Sequence, residues 1–147
     1  MSKLKHIKHG PCPLCSEWIL QGHPEIQRVW PLLKITFPEM HVSWVYRDQV
    51  TQDQLVAKGV SDALWPKSNH NKTDKKGKPC ARAFDLFSIG ADGVPRWEAA
   101  KYKLVAEWLI ANKWPLRIPY PLIYKDRNGK PRVDWPHFEL SKEVPQP

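Results

Sequence analysis

Apolar residues recur with two different periods along the chain, and these periods predict both helices and strands. Between residues 24 and 37 they return at spacings of three and four, which indicates an amphipathic helix. A shorter helix is predicted over residues 51–58, where Thr51 can act as the N-cap. The clearest helix is predicted over residues 97–114. Its buried stripe is expected to comprise Ala100, Leu104, Trp108 and either Ile110 or Ala111.

Three other stretches alternate with the two-residue period of half-buried strands. They cover residues 41–47, 81–89 and 132–140. In the last of these, His137 and Glu139 share one face, so His137 can point into a cleft while the aromatic side anchors the core.

The composition indicates short elements joined by many rigid turns. The chain has 147 residues, enough for one domain, and it contains 15 prolines and 7 glycines. We therefore expect a single domain over residues 1–147, with residues 1–23 as an N-terminal extension. Residues 66–80 are polar and basic, which predicts an exposed loop, and residues 141–147 are expected to form a flexible tail.

The net charge of +8 indicates a partner that carries many negative charges. Nucleic acid, an anionic membrane surface and an anionic cell wall all fit this charge. The basic N-terminus is not followed by an apolar run of signal-peptide length, and no stretch approaches the ~20 apolar residues of a membrane span. We therefore expect no membrane-spanning helix and a protein that is first kept in the cytosol. Three cysteines, an odd number, argue against a disulfide framework.

Two of the cysteines, Cys12 and Cys15, form a C-x-x-C knuckle. Two thiolates at this spacing can bind zinc, and His9 or His23 can complete a tetrahedral site. The alternative is a pair of small apolar side chains in a proline-rich turn, because no second C-x-x-C follows. Both interpretations stay open, and the first predicts a structural metal ion.

Three polar residues are candidates for a functional site. Asp85 shares a predicted strand face with apolar neighbours, where a carboxylate is costly to bury without a cation or strong donors. A metal ion would satisfy it, and so would a salt bridge to one of the many lysines and arginines. Arg47 falls at the end of a predicted strand, and Gln54 on the next helix can point towards the same place. A surface arginine and a solvated glutamine explain this pattern equally well.

Three short motifs follow one another in a definite order: Ser68-x-His70, Ala83-x-Asp85 and Asp134-x-x-His137-Phe-Glu-Leu. Together with the upstream Arg47 they resemble the zinc peptidases of the D-alanyl-D-alanine carboxypeptidase and L-alanyl-D-glutamate endopeptidase family. The resemblance covers residues 42–140, and the phage cell-wall endopeptidases, or endolysins, are the most similar members. The family shares its fold with hedgehog signalling domains. The resemblance therefore implies an α+β fold in which helices flank a small antiparallel sheet.

The interval between His70 and Asp85 is longer than in that family, and the glycine that the family has there is missing. We interpret residues 71–82 as an inserted basic loop that leaves both residues in place. Asp74 is the alternative ligand, because it follows His70 by four residues. Gly77 argues against a helix there, however, so we favour Asp85 over Asp74.

The resemblance also implies roles for individual residues around one catalytic Zn²⁺ ion. The expected metal ligands are His70, Asp85 and His137. This ligand set leaves a fourth position for water, from which Asp134 would take a proton as general base. Arg47 would donate hydrogen bonds to the scissile carbonyl. The residues expected to orient the ligand loop or the substrate are Ser68 and Gln54.

These roles predict a zinc metallopeptidase that hydrolyses peptidoglycan stem peptides, as a phage endolysin cutting between L-Ala and D-Glu. A D-Ala-D-Ala carboxypeptidase or dipeptidase is the alternative within the family. A basic nucleic-acid-binding protein, with tryptophans stacking on bases, is the alternative from another class, and a metal-binding relative without catalysis is a third. We expect peptidoglycan as the partner, no nucleic acid, a monomer, and a location in the host cytoplasm until release to the cell wall or periplasm.

Overall fold

The computed structural model describes His6 and residues 11–147. The helices in this part of the chain are Pro13–Ile19 (α1), Pro24–Thr36 (α2), Gln49–Ala57 (α3) and Ala99–Ala111 (α4). Its strands are Met40–Trp44 (β1), Ala83–Ile89 (β2), Pro95–Arg96 (β3), Leu122–Lys125 (β4), Pro131–Asp134 (β5) and His137–Glu139 (β6). A single 3₁₀ turn, Asn69–Asn71, precedes β2. None of the described helices is long and apolar enough to cross a lipid bilayer.

Strand β2 is the centre of the larger sheet. Strand β1 pairs with one of its edges, while β3 and β6 pair with the other, and all of these pairings are antiparallel. Strands β4 and β5 form a separate antiparallel hairpin. The turn of the hairpin contains Gly129 with φ 76°, a conformation that glycine adopts at little cost. The predicted α+β class with a small antiparallel sheet is therefore confirmed.

The apolar face of β2 lies at the centre of the core. Phe84 stacks on Phe138 of β6 with ring centroids 5.7 Å apart, and Leu86 is completely buried. Tyr102 of α4 reaches the same face, where its hydroxyl donates to the Leu86 carbonyl at 2.8 Å. Alternate residues of a strand point to opposite faces, so Asp85 lies on the other side of the sheet. The core thus holds the strand that carries Asp85.

Helix α4 packs through a different face from the one predicted. Leu104 and Ile110, which were expected to be buried, are each 55% exposed, and Ala100 and Ala111 are exposed as well. The side chains that are buried instead are Tyr102, Val105, Ala106 and Leu109. Of the predicted stripe, Trp108 packs against the core and is half-buried. The rest of the stripe is wrong because this helix carries apolar residues on almost every side, so its sequence does not define a single buried face.

The two preceding helices follow the prediction more closely. Helix α2 continues through Pro31, and α3 begins two residues earlier than predicted. Asp48, rather than Thr51, caps α3, because its carboxylate accepts a hydrogen bond from the Thr51 N–H at 2.8 Å. Gly59 follows the helix with φ 74°, as expected for a residue that ends it.

The first and the last predicted strands both differ from the observed ones. Strand β1 ends at Trp44 and does not extend to Arg47. The predicted strand over residues 132–140 is divided into β5 and β6. Asp134 therefore ends a strand of the hairpin, whereas His137 begins a strand of the larger sheet.

The C-terminal residues, predicted to be a flexible tail, pack against the basic loop. The Gln146 side-chain nitrogen donates to the carbonyls of Thr73 at 3.0 Å and Cys80 at 2.8 Å. Its oxygen accepts from the Arg82 guanidinium at 2.9 Å. These contacts attach the tail to both ends of the loop.

Candidate metal centre

Three side chains from three different elements converge beside β2. His70 lies on the 3₁₀ turn, Asp85 on β2 and His137 on β6. Asp85 Oδ1 is 3.2 Å from His70 Nε2 and 2.9 Å from His137 Nδ1, and these two nitrogens are 3.3 Å apart. Asp85 and His137 are direct partners in the β2–β6 register. The structure thus brings together the three residues expected to bind zinc.

Each histidine has its second ring nitrogen occupied by an acceptor. His70 Nδ1 is 2.7 Å from the Val45 carbonyl, which can only accept, so this nitrogen carries a proton and leaves the lone pair on Nε2. His137 Nε2 is 3.0 Å from Glu139 Oε1, which leaves Nδ1 to face Asp85. Partners of this kind orient the rings of metal-binding histidines. Glu139, to which the sequence interpretation assigned no role, therefore orients the His137 ring.

The spacing of the three donor atoms fits one tetrahedral ion. Zinc binds histidine nitrogen and carboxylate oxygen at ~2.0–2.2 Å, so neighbouring donors around it are roughly 3.3 Å apart. The observed separations of 2.9, 3.2 and 3.3 Å match this value closely. Two neutral imidazoles and one carboxylate are also a donor set of catalytic zinc sites. The residues present therefore fit a zinc ion.

The ionisable groups of this centre change one another's pKa. Burial raises the pKa of Asp85, but the charges and hydrogen bonds of His70 and His137 hold it well below its usual range. Burial lowers the pKa of His137, but hydrogen bonds to Asp85 and Glu139 outweigh burial and raise it to about 10. Asp85 and Glu139 therefore favour a proton on His137, and metal binding would require its loss.

Ser68 determines the shape of the turn that carries His70. Its hydroxyl accepts from the His70 N–H at 3.1 Å, and its own N–H donates to the Asn71 side chain at 3.1 Å, which together form a capping box. Asn71 Nδ2 also contacts the Arg47 carbonyl at 3.1 Å and Gln52 Oε1 at 3.2 Å. Ser68 thus stabilises the turn that carries His70, and the same network connects that turn to Arg47.

The glutamine of α3 that belongs to this network is Gln52 rather than Gln54. Gln52 is completely buried and donates to the Ala63 carbonyl at 2.7 Å. Gln54 is exposed and does not line the cavity beside the metal ligands. The sequence contains a signal for this, since Gln52 precedes Leu55 and Val56 by three and four residues and shares their helix face.

Arg47 lies beside the metal ligands although it is outside the sheet. The β1–β2 register shifts between Val42 and Trp44, as in a β-bulge, and the chain then leaves the sheet. Arg47 Nη2 is 3.4 Å from Asp85 Oδ2, and its guanidinium lies 4.8 Å from the Trp44 ring centroid. Among the described residues, no hydrogen-bond partner contacts its buried Nε. Arg47 therefore keeps a donor for a ligand.

Asp134 shares one cavity with Arg47 and the candidate ligands His70, Asp85 and His137. The cavity measures about 560 Å³, and the β4–β5 hairpin contributes Leu122 and Tyr124 to its wall. Burial raises the pKa of Asp134, and the positive charge of His137 offsets this only in part. A carboxyl group with a raised pKa is suited to accepting a proton and returning it.

Asp74, the alternative ligand, has a different role. Its Oδ1 accepts from the N–H groups of Lys76 at 2.8 Å and Lys78 at 2.9 Å, so it stabilises the tip of the basic loop. The loop folds back on itself through a bridge between Thr73 and Pro79. Because the loop closes on itself, His70 and Asp85 lie close together although the sequence between them is longer than in the family that the motifs resemble.

The residues proposed for a second metal site are only partly brought together. Both ring nitrogens of His23 are hydrogen-bonded to the main chain of α2 and of the C-terminal tail, so His23 does not accompany the cysteines. His9 lies outside the described residues. A second group of side chains that could hold a metal ion consists of His6, Cys12, Cys15 and His41.

The fold is similar to that of a solved enzyme. The crystal structure of the L-Ala D-Glu endopeptidase ChiX from Serratia marcescens matches this structure with a TM-score of 0.61. The two chains are 22% identical, and the match covers 95% of this chain and 92% of ChiX. The chain matches no protein-family profile and no curated protein. The chain is therefore an α+β domain with a fold similar to that of ChiX, and it contains a candidate metal centre.

Proposed function

We propose that the protein is a zinc-dependent peptidase that hydrolyses peptidoglycan stem peptides between L-Ala and D-Glu. The observation that carries this proposal is the arrangement of two histidines and one carboxylate in a single cavity with Arg47 and Asp134. The fold shared with an L-Ala D-Glu endopeptidase supports the choice of bond. The order of the sequence motifs supports the same class of enzyme.

Each polar residue of the cavity has a separate task in this reaction. When bound, zinc would lower the pKa of a water molecule and polarise the scissile carbonyl. A carboxylate oxygen of Asp134 would accept a proton from the attacking water. Asp134 would then deliver this proton to the nitrogen of the leaving amine. Arg47 would donate to the carbonyl oxygen, where negative charge develops. Its contacts with Asp85 and Trp44 hold the guanidinium in position before the substrate binds.

We further propose that the enzyme acts as a monomeric phage endolysin, held in the host cytoplasm until it reaches the cell wall. The resemblance of its motifs to those of phage cell-wall endopeptidases supports this role. The net charge of +8 supports it as well, because a basic protein is attracted to anionic wall polymers.

Digestion of purified peptidoglycan, followed by mass spectrometry of the products, tests the proposed reaction. We expect products cut between L-Ala and D-Glu, no products after treatment with a chelator, and recovery when zinc is added back. Release of the terminal D-Ala alone would instead establish the carboxypeptidase. Unchanged peptidoglycan after incubation with folded, zinc-loaded protein would contradict both.

A further inference from the structure

A second cluster of metal-binding side chains lies outside the cavity, where α1 and β1 meet. It consists of His6, Cys12, Cys15 and His41, whose ligand atoms all lie within 4.8 Å of one another. We propose that these four residues bind a structural zinc ion. The proposal is independent of the peptidase reaction, because none of the four lines the catalytic cavity.

The distances within the cluster are those expected around zinc. His6 Nδ1 is 3.3 Å from Cys12 Sγ and 3.4 Å from Cys15 Sγ. His41 Nδ1 is 3.5 Å from Cys15 Sγ. With Zn–S bonds of ~2.3 Å and Zn–N bonds of ~2.0 Å, a sulfur and a nitrogen on a tetrahedral ion lie roughly 3.5 Å apart. The observed distances therefore correspond to edges of such a tetrahedron.

Main-chain N–H groups are directed at both sulfur atoms. Cys12 is the N-cap of α1, and its Sγ accepts from the Cys15 N–H at 3.4 Å. Cys15 Sγ accepts from the Val42 N–H at 3.4 Å. Hydrogen bonds of this kind stabilise the negative charge of a thiolate, the form that binds zinc. The donors come from the helix that carries the cysteines and from the strand that carries His41.

The cluster is mostly buried, and only His6 is half-buried. Both cysteines and His41 are at most 3% exposed. The His6 ring packs edge-on against Trp18 and Phe87, with centroids 5.5 and 5.1 Å apart. Four protein ligands without an open position are typical of structural zinc sites, whereas catalytic sites keep one position for water. The ion is therefore assigned a structural role.

Such an ion would connect three parts of the chain. His6 belongs to the N-terminal segment, the cysteines flank and enter α1, and His41 lies on β1. His41 is the register partner of Phe87, two residues after Asp85 on β2. The ion would therefore attach the N-terminal segment to the strand pair that carries the catalytic ligand Asp85.

Loading the protein with cobalt(II) in place of zinc distinguishes this site from the proposed catalytic centre, because of the two clusters only this one contains sulfur. We expect about two metal ions per chain and a thiolate-to-cobalt charge-transfer band in the near ultraviolet. Cys12→Ser is expected to abolish the band and to lower the content to about one ion. Cys80→Ser, the matched control, removes the third thiol and should change neither. His70→Ala should lose the other ion and keep the band, so failure of the peptidase centre is distinguishable.

Histidine variants test which rings complete the site. His6→Ala and His41→Ala should weaken or abolish the band, whereas His9→Ala and His23→Ala should retain it. If a variant does not fold, the presence or absence of the charge-transfer band in the wild-type protein still tests whether the cysteines bind the metal ion. A folded wild-type chain that binds cobalt without a charge-transfer band would overturn the proposal. A Cys12–Cys15 disulfide that persists in reducing buffer would overturn it too.

Discussion

Asp85 Oδ1 lies 2.9 Å from His137 Nδ1, and the two residues are register partners across β2 and β6. The neighbouring pair in the same ladder, Phe84 and Phe138, stacks in the core on the opposite face of the sheet. These two ligands cannot separate without breaking a buried part of the sheet. The pairing of β2 with β6 therefore holds Asp85 and His137 close together.

Replacing Glu139 should weaken metal binding although Glu139 is not a ligand. It accepts the proton of His137 Nε2, and loss of such a partner typically lowers metal affinity or activity by ~10- to 100-fold. We expect this loss in Glu139→Ala, and a smaller one in Glu139→Gln, whose amide oxygen can accept the same proton. Competition with a chelating dye measures the affinity. Equal zinc affinity in the wild type and Glu139→Ala would contradict the role given to Glu139.

Asp134→Asn should retain zinc and lose turnover. The variant cannot accept a proton, and loss of a general base typically lowers the rate by ~10²- to 10⁴-fold. Because burial raises the pKa of Asp134, wild-type kcat/KM should fall on acidification at a pH above the ordinary aspartate value of 3.8. Zinc content and the pH profile of kcat/KM are the measurements.

Asp53→Asn is the matched control for this variant, because Asp53 is exposed on α3. It should keep the wild-type rate and pH profile. Turnover of Asp134→Asn at the rate of this control would exclude Asp134 as the base.

Arg47→Ala should lower kcat by roughly 100- to 1,000-fold, as is found when a donor to a developing oxyanion is removed. Arg47→Lys should recover part of the rate, because it keeps the charge but lacks the planar set of donors. Steady-state kinetics with separate kcat and KM values test this. A change in KM alone would show that Arg47 only binds the substrate.

After removal of zinc, the free energy of unfolding should decrease as the pH rises into the alkaline range. In the metal-free protein the pKa of His137 is about 10, against an ordinary value of 6.5, because Asp85 and Glu139 stabilise the protonated ring. A raised pKa in the folded state contributes stability that is complete below pH 6.5 and is lost as the pH rises towards about 10. The neighbouring Asp134 favours the protonated ring in the same way.

Chemical denaturation of chelated protein at a series of pH values measures this loss. The zinc-loaded protein should not follow the same trend, because zinc binds the deprotonated ring. Chelated protein that becomes more stable between about pH 7 and 10 would contradict the assignment.

Gln52→Ala should destabilise the protein by ~1–3 kcal/mol, because it removes one of the two hydrogen bonds that the buried Asn71 amide nitrogen donates and leaves the half-buried Ala63 carbonyl without its donor. Gln54→Ala is the matched control on the exposed face of α3 and should change the free energy of unfolding by less than ~0.5 kcal/mol. Urea denaturation of both variants measures the difference. Equal stability of the two variants would argue against the buried network.

Sequence patterns predicted most elements of the fold and selected the three residues that the structure brings together at the candidate metal centre. These features could be predicted because they depend on residues that are close together in the sequence. The alternation of polar and apolar residues around Asp85 and His137 is such a pattern, and so are the short motifs that contain His70 and Asp134. They missed contacts that depend on long-range packing. The buried face of α4 was wrong because apolar residues surround that helix, and strand β1 was too long because a bulge leaves no sequence signal.

The second cluster shows the same limit of local patterns. The C-x-x-C spacing identified Cys12 and Cys15, since both ligands lie within one turn of chain. The nearby histidines in the sequence were natural candidates, but His41 reaches the cysteines only because β1 packs beside α1. Partners that are distant in sequence are determined by the tertiary fold, so spacing alone could not select them.

Hydrolysis of a synthetic stem peptide that begins with L-Ala-D-Glu tests the central claim most directly. The amine released by the wild-type protein is measured with zinc bound, after removal of zinc, and after zinc is restored, and the metal content is determined on the same samples. We predict cleavage of the L-Ala–D-Glu bond in proportion to the zinc bound at His70, Asp85 and His137. Cleavage at an unchanged rate by zinc-free protein, or no cleavage by folded, zinc-loaded protein, would contradict the account.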